Sequence, residues 1–438
     1  MTRLPPNDPG NGAPSAAAAV PDAGGPLEAP PSASRLRAYA ELLMRVGVDL
    51  RAGQGLLVRA PIESAPLVRE VARVAYRVGS PLVDVMWSDD AVTRARFELG
   101  PEGSFERVPQ WRADGRLAMY RQGFASLAVV ADDPDLLAGT DPKRWATYIR
   151  ASQQANRPAQ AISMRDGIPW CVAAYPGLSW ARKVNAGVPD GLAVARLWDA
   201  IFTATRVDAA DPVGAWREHS QRLKALAERL NARRYAALRF RGPGTDLRVG
   251  LAEGHVWVGA SARTPEGQEF MPNMPTEEVF TAPHSARVDG SVRASMPLAS
   301  GGAVIEGFAL RFEDGRVVEA RAERGQDELD RILDSDEGAR SLGEVALVPA
   351  SSPIARSGVL FYETLFDENA ASHIALGKAY PNTVGGGEAM DDAEAAAAGL
   401  NDSITHVDFM IGSAEVDVDG ELEDGRVEAV MRAGEWAG

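Results

Sequence analysis

Five side chains in the C-terminal half, Glu278, Glu344, His373, His406 and Asp408, form a mixed carboxylate and imidazole set of the kind that hard-to-borderline divalent metals bind. His406 and Asp408 stand two residues apart in "SITHVDFMIGS", a run rich in β-formers, so an extended backbone aims both side chains at one side. Taken alone, such a pair also fits the polar face of an ordinary strand. Upstream, "LFDENAASHIALGKAYP" gathers Glu368, His373 and Tyr380 within thirteen residues, beside the permissive backbone of Gly385 to Gly387. In "PNMPTEEVFTAP" an extended chain sends Glu277 and Glu278 to opposite faces, so only one of the two serves a metal. Glu344 interrupts the apolar run "RSLGEVALVP", where an unpaired carboxylate is costly and calls for a cation, either a metal or a buried arginine. His255 in "EGHVWV" and His284 in "TAPHSARV" read as structural or supporting residues; His219 completes the five histidines of the chain.

These residues need a scaffold, and the sequence supplies two kinds. Leu36, Tyr39, Leu43 and Val46 recur at helical spacing, with Ser34 as the expected N-cap. Then "GLLVRA" (55–60) reads as a strand, "SAPLVREVARVAYRV" (64–78) as an amphipathic helix and "PLVDVMW" (81–87) as a strand. The alternation continues through a helix near 106–121, a strand at 126–131, a helix near 142–155 and a strand at 169–174. Alternation of this kind predicts a doubly wound parallel sheet covered by helices. The amphipathic segment 212–232 predicts one long helix, with Trp216, Leu223, Leu226 and Leu230 on a shared side. Short β runs separated by Gly, Asp and Pro follow, and the two "EDG" triplets at 313–315 and 423–425 predict hairpins. The expected organisation is therefore α/β plus α+β: a tail at 1–34, an N-terminal α/β domain at 35–232, and a β-rich domain at 233–438 that carries the candidate ligands.

Composition narrows the function classes. A chain of 438 residues has length for two domains. Its 61 acidic residues against 46 Lys and Arg give a net charge of −15, which opposes binding to nucleic acid or an anionic membrane. No apolar run approaches the roughly 18 residues of a membrane span. Residues 1–34 hold eight prolines and almost no large apolar side chain, so they read as a disordered tail. The single cysteine, Cys171, excludes an intramolecular disulfide framework, fits a reducing, cytoplasmic setting, and reads as a buried small hydrophobe.

Four blocks, "NMPTEEVFTAP", "GARSLGEVALVP", "LFDENAASHIALGKAYP" and "NDSITHVDFMIGS", resemble in order the signature blocks of the thermophilic-metalloprotease family of aminopeptidases, the aminopeptidase T and aminopeptidase S type. The resemblance runs over roughly residues 35–438 and is strongest after about 265. It implies a homodimeric exopeptidase with two divalent metal ions that acts on peptides with a free N-terminus; the oxygen-rich donor set without cysteine suits zinc, cobalt, manganese or magnesium. Carried over block by block, the ligands fall on Glu278, Glu344, His373, His406 and Asp408, with Glu368 a further ligand or an acid/base residue. Tyr380 matches the family's active-site tyrosine. On this reading Glu344 bridges the metals and Tyr380 stabilises the oxyanion. Two rivals carry different expectations. His373, His406 and Asp408 alone match the two-His-one-carboxylate iron site of ring-cleaving dioxygenases, which look like distant relatives, and a non-catalytic protein could use metals only to brace a peptide-binding fold.

Overall fold

Apolar runs alternating with amphipathic segments determine the first half of the molecule. The structure is a computed structural model that describes residues 31–131, 133–300 and 303–437, so nearly all of the tail expected at 1–34 lies outside the described residues. Four parallel strands, Leu56–Pro61, Val83–Ser88, Ala125–Val130 and Trp170–Ala174, are joined by helices. In the intervening helix Ala65–Val78, Leu67, Val68, Val71, Val74 and Ala75 are buried, one face at helical spacing. The first strand lies between the second and the third, so the chain builds outward in both directions, the doubly wound order. A fifth parallel strand comes from far along the chain: Asn273–Met274 pairs with Trp170–Ala174 at the sheet edge.

Several elements differ from the sequence reading. The first helix, Ala33–Leu42, is capped by Ser32, whose hydroxyl accepts the Arg35 N–H at 3.4 Å, and Ser34 lies inside the first turn. Ser32 offers the same capping oxygen two residues earlier, so the helix gains length at no loss of a cap. The helix expected near 142–155 runs from Pro142 to Ser163 and passes Pro158, which removes one donor without ending it. The helix expected near 106–121 spans Gln110–Arg121, and helices Asp90–Leu99, Leu178–Val184 and Asp190–Ala204 were not anticipated.

Helix Pro212–Arg233, capped by Asp211, leads into the β-rich half. There an eight-stranded antiparallel sheet contains both expected hairpins: Ala309–Glu313 with Arg316–Arg321, and Asp417–Glu421 with Val427–Arg432. Asp314 and Gly315 both adopt positive φ (47° and 80°), the conformation that tight hairpin turns demand. A second antiparallel sheet runs in the order His406–Met410, His373–Gly377, Leu342–Leu347, Val279–Thr281, Val258–Gly259. Apolar packing is continuous from the parallel sheet, including the buried Cys171, to these β layers. Trp180 joins the two halves by donating its indole N–H to Phe361 O at 2.5 Å.

Candidate metal centre

The five-stranded antiparallel sheet aligns the candidate ligands by register alone. Glu344 faces Ala375, and Ala375 faces Asp408, so a methyl group separates two carboxylates on adjacent rows. His406 faces Gly377 on the same strand pair. The two-residue period puts His373, Ala375 and Gly377 on one face. Phe280 pairs with Ala346, which pairs with His373, so Glu278, two residues before Phe280, comes onto that face as well. Val345, Leu347, Ile374, Leu376 and Phe409 take the other face into the core. A bulge between Leu342 and Glu344 sets the position of the central carboxylate. A Cβ on the intervening Gly343 would lie 2.3 Å from Lys378 O, so only glycine allows this approach.

The side chains converge as this register requires. His373 Nε2 lies 3.1 Å from Glu278 Oε2 and 3.6 Å from Glu344 Oε1; His406 Nε2 lies 3.6 Å from Glu344 Oε2 and 3.3 Å from Asp408 Oδ1. The two oxygens of Glu344 thus face different histidines. Ligand atoms of Glu278, Glu344 and His373 lie within 4.8 Å of one another, as do those of Glu344, His406 and Asp408. Each imidazole has its other nitrogen beside a backbone carbonyl: His373 Nδ1 is 3.1 Å from Ala371 O, and His406 Nδ1 is 2.7 Å from Lys378 O. Donation to those carbonyls leaves the Nε2 lone pairs for the centre, the orientation common to metal-bound histidines. Glu278 Oε2 and Asp408 Oδ1 are buried without a hydrogen-bond partner, and the approaches to the imidazoles do not fill that role. Buried acceptors left open around two nitrogen donors fit divalent cations.

The electrostatics agree. Burial alone would lower both imidazoles, but Glu278 and Glu344 hold His373 well above its ordinary value, and Asp408 and Glu344 hold His406 up at about 9. Burial raises Glu344 to about 7, with the neighbouring Asp408 and Glu278 adding to the rise and His373 and His406 opposing it. Carboxylates and imidazoles therefore crowd one buried cluster, with Glu344 pushed up by burial and its acidic neighbours and each imidazole held up by the carboxylates.

Glu368 stands in a 3-10 turn, Glu368–Ala370, and accepts Asn369 Nδ2 at 3.4 Å. Burial, with Glu278 and Asp408 nearby, raises its carboxyl well above the usual range. Glu368 and Asp408 both line a narrow cleft beside Pro297, Leu298 and Met410. The Tyr380 ring lies 4.8 Å from the His406 ring, and its phenol is pushed well up by burial and by the Glu344 carboxylate, which keeps the proton on its hydroxyl. All seven residues singled out in the sequence therefore belong to one neighbourhood.

The family model described as thermophilic metalloprotease (M29) matches residues 32–436. The chain belongs to the M29 metalloprotease family. Aminopeptidase T of Thermus thermophilus is 49% identical over 92% of this chain and 98% of its own length. Aminopeptidase 2 of Geobacillus stearothermophilus is 47% identical over 91% of this chain and 97% of its own, and aminopeptidase AmpS of Bacillus subtilis 45% over 92% and 98%. The solved structure of wild-type AmpT from Thermus thermophilus superposes with a TM-score of 0.87, at 48% identity, covering 92% of this chain and 99% of that one. A 2,5-dihydroxypyridine dioxygenase from Pseudomonas putida shares the fold at a TM-score of 0.54 and 12% identity, over 93% of this chain and 98% of that one.

In this M29 chain the remaining histidines lie apart from the centre. His255 Nδ1 is 3.1 Å from Ala252 O, and His284 Nδ1 accepts the Ala286 N–H at 3.1 Å. Glu277 turns away from Glu278, towards Arg206 at 2.7 Å and His219 at 3.4 Å. Asn369 is fully buried and accepts the Glu277 N–H at 2.6 Å. Neither Arg206 nor Asn369 was singled out from the sequence. The one signal was the Glu277–Glu278 doublet, which implies that a second buried carboxylate needs its own partner.

Proposed function

We propose that the centre holds two divalent ions, one at Glu278, Glu344 and His373, the other at Glu344, His406 and Asp408, and that it hydrolyses the N-terminal peptide bond of its substrates. Membership of the M29 family and relatives named aminopeptidases at 45–49% identity support a metallo-aminopeptidase. The observation that carries the two-ion reading is Glu344, whose two oxygens each lie 3.6 Å from a different imidazole. When bound, such ions lower the pKa of a water, polarise the scissile carbonyl and anchor a free amine.

The protein's own groups do the rest. Glu344, Glu278 and Asp408 supply the negative charge that holds the ions, and His373 and His406 are fixed by backbone carbonyls to offer Nε2. Glu368, with its carboxyl raised, takes a proton from the attacking water and returns it to the leaving amine. Tyr380 keeps its proton and donates a hydrogen bond to the carbonyl oxygen as charge develops there. The reading extends, on the family resemblance, to peptide substrates with a free N-terminus and a homodimer; on the oxygen-rich, cysteine-free donor set to zinc, cobalt, manganese or magnesium; and, on the sequence pattern and cysteine usage, to a division of the chain at 232/233 and a cytoplasmic setting. No described helix is long and apolar enough to cross a membrane.

The test is chromophore release from a panel of amino-acid anilides by metal-stripped protein resupplied with each of the four metals. Cleavage of free-amine but not N-acetylated substrates, restored by metal, is expected. Tyr380→Phe should retain full metal content and lose roughly 10²–10³-fold in turnover, the scale of a lost oxyanion donor. Folded, metal-loaded wild-type protein silent on every substrate would overturn the reading.

A further inference from the structure

Glu277 and Glu278 are adjacent and both buried, yet they serve different partners. Glu278 Oε2 meets His373 at the metal centre. Glu277 Oε1 forms an ion pair with Arg206 Nη2 at 2.7 Å, and both side chains are largely shielded, 5% and 17% exposed. Arg206 Nη2 also donates to His219 Nδ1 at 3.3 Å. A guanidinium can only donate, so this nitrogen of His219 accepts and Nε2 carries the proton, which it donates to Thr276 O at 2.8 Å. Arg206 itself is held: its guanidinium lies 4.9 Å from the Trp216 ring centroid, and Trp216 Nε1 donates to Thr205 O at 2.5 Å. On the other side Asn369 Oδ1 accepts the Glu277 N–H, while Asn369 Nδ2 donates to Leu365 O at 3.1 Å. The peptide that delivers Glu278 is therefore gripped at Thr276 O, at the Glu277 carboxylate and at the Glu277 N–H.

None of these contacts reaches His406 or Asp408. We propose that Arg206 is a positioning residue: through Glu277 and His219 it fixes the Thr276–Glu277 backbone so that Glu278 meets His373, tuning the ion position of Glu278, Glu344 and His373 and leaving that of His406 and Asp408 alone. The inference rests on the two-position reading of the centre. Partners one shell out from metal ligands typically set affinity by roughly 10–100-fold. An ion pair so shielded also cannot lose its cation quietly, because the carboxylate left behind has no solvent to turn to.

The experiment is Co²⁺ binding to the metal-stripped full chain, followed by titration calorimetry and by the cobalt absorption bands. Asp408→Asn marks which of the two binding steps belongs to His406 and Asp408. Arg206→Met should weaken the other step by roughly 10–100-fold, leave the marked step within about twofold, and be partly reversed in Arg206→Lys, since a lysine ammonium keeps the charge beside Glu277 but not the contacts to His219 and the Trp216 ring. Equal weakening of both steps, or none, in a chain that still melts cooperatively would overturn it. If Arg206→Met does not fold, Glu277→Gln, which preserves side-chain volume, carries the same test with the same selective loss. If the wild type binds a single ion, the two-ion reading falls, and the inference stands or falls on whether Arg206→Met weakens that ion.

Discussion

The parallel sheet and the five-stranded antiparallel sheet both carry buried faces, but they use them differently. In the parallel sheet Leu56, Val58, Leu127, Val129, Cys171 and Ala173 are apolar and packed, and the buried hydroxyl of Ser126 meets that of Tyr120 at 2.9 Å. In the antiparallel sheet one face is just as apolar, while the other holds the buried Glu278, Glu344 and His373 and the nearly buried Asp408, with two carboxylate oxygens lacking hydrogen bonds. With Glu368, four carboxylates crowd around two imidazoles, and burial with the neighbouring carboxylates raises Glu344 and Glu368. The contrast teaches that burial by itself does not mark stability: one sheet buries packed apolar side chains, and the other buries a cluster of carboxylates and imidazoles suited to cations.

The strongest way to break that contrast is Glu344→Gln, which removes the carboxylate shared by both ligand groups. Activity should fall by roughly 10³-fold or more, about 4 kcal/mol in the barrier, measured with the anilide assay at saturating metal. The same variant should melt no lower than wild type when both are metal-free, because burial and the neighbouring carboxylates already disfavour charge on Glu344. A clear drop in the metal-free melting temperature would mean that the site charges already hold the sheet together, and the two sheets would not differ as argued.

The complementary change sharpens it from the other side. Leu127→Ala opens a cavity in the parallel sheet and should lower stability by about 2–5 kcal/mol in urea unfolding, with the number of bound metal ions unchanged. Loss of metal together with stability would show that the two sheets do not fail separately.

How much of this was legible depended on whether the signal is local. His406 and Asp408 share a face because a strand has period two, and that face can be read from five residues of sequence. The helix Ala65–Val78 and the two Asp-Gly hairpins were readable for the same reason, since their patterns close within a few residues. Ser32 displaced Ser34 as N-cap because two serines two residues apart carry identical capping chemistry. Pairing across the chain left no such trace. Nothing local announces that Asn273–Met274 completes a sheet begun at residue 56, or that Asn369 accepts a backbone N–H 92 residues away. The residues that cluster here were picked out through the ordered blocks that resemble a family. The grip on Glu277 was not, because Arg206 follows a helix, Asp190–Ala204, that the sequence pattern did not announce.

The same residue type in two settings gives the smallest and most selective test. His373 and His406, surrounded by carboxylates, are held above the usual imidazole value. His219, buried against the Arg206 guanidinium, is pushed down to about 3, with burial the larger cause; its bond to Thr276 O works the other way. Unfolded, it returns to about 6.5. Between those values the unfolded chain binds a proton that the folded chain refuses, so stability is lost as pH falls below about 6.5. At pH 5 the loss from this group is about 2 kcal/mol relative to pH 8. Glu277, whose carboxyl burial raises, contributes with the opposite sign over its own range, but it is present in both proteins when wild type is compared with His219→Gln. Urea unfolding of each at pH 8 and pH 5 isolates the imidazole: wild type should lose about 2 kcal/mol more than the variant over that interval. An equal loss in both would mean that His219 accepts a proton in place, and that arginine neighbours and carboxylate neighbours do not divide the histidines of this chain into two classes.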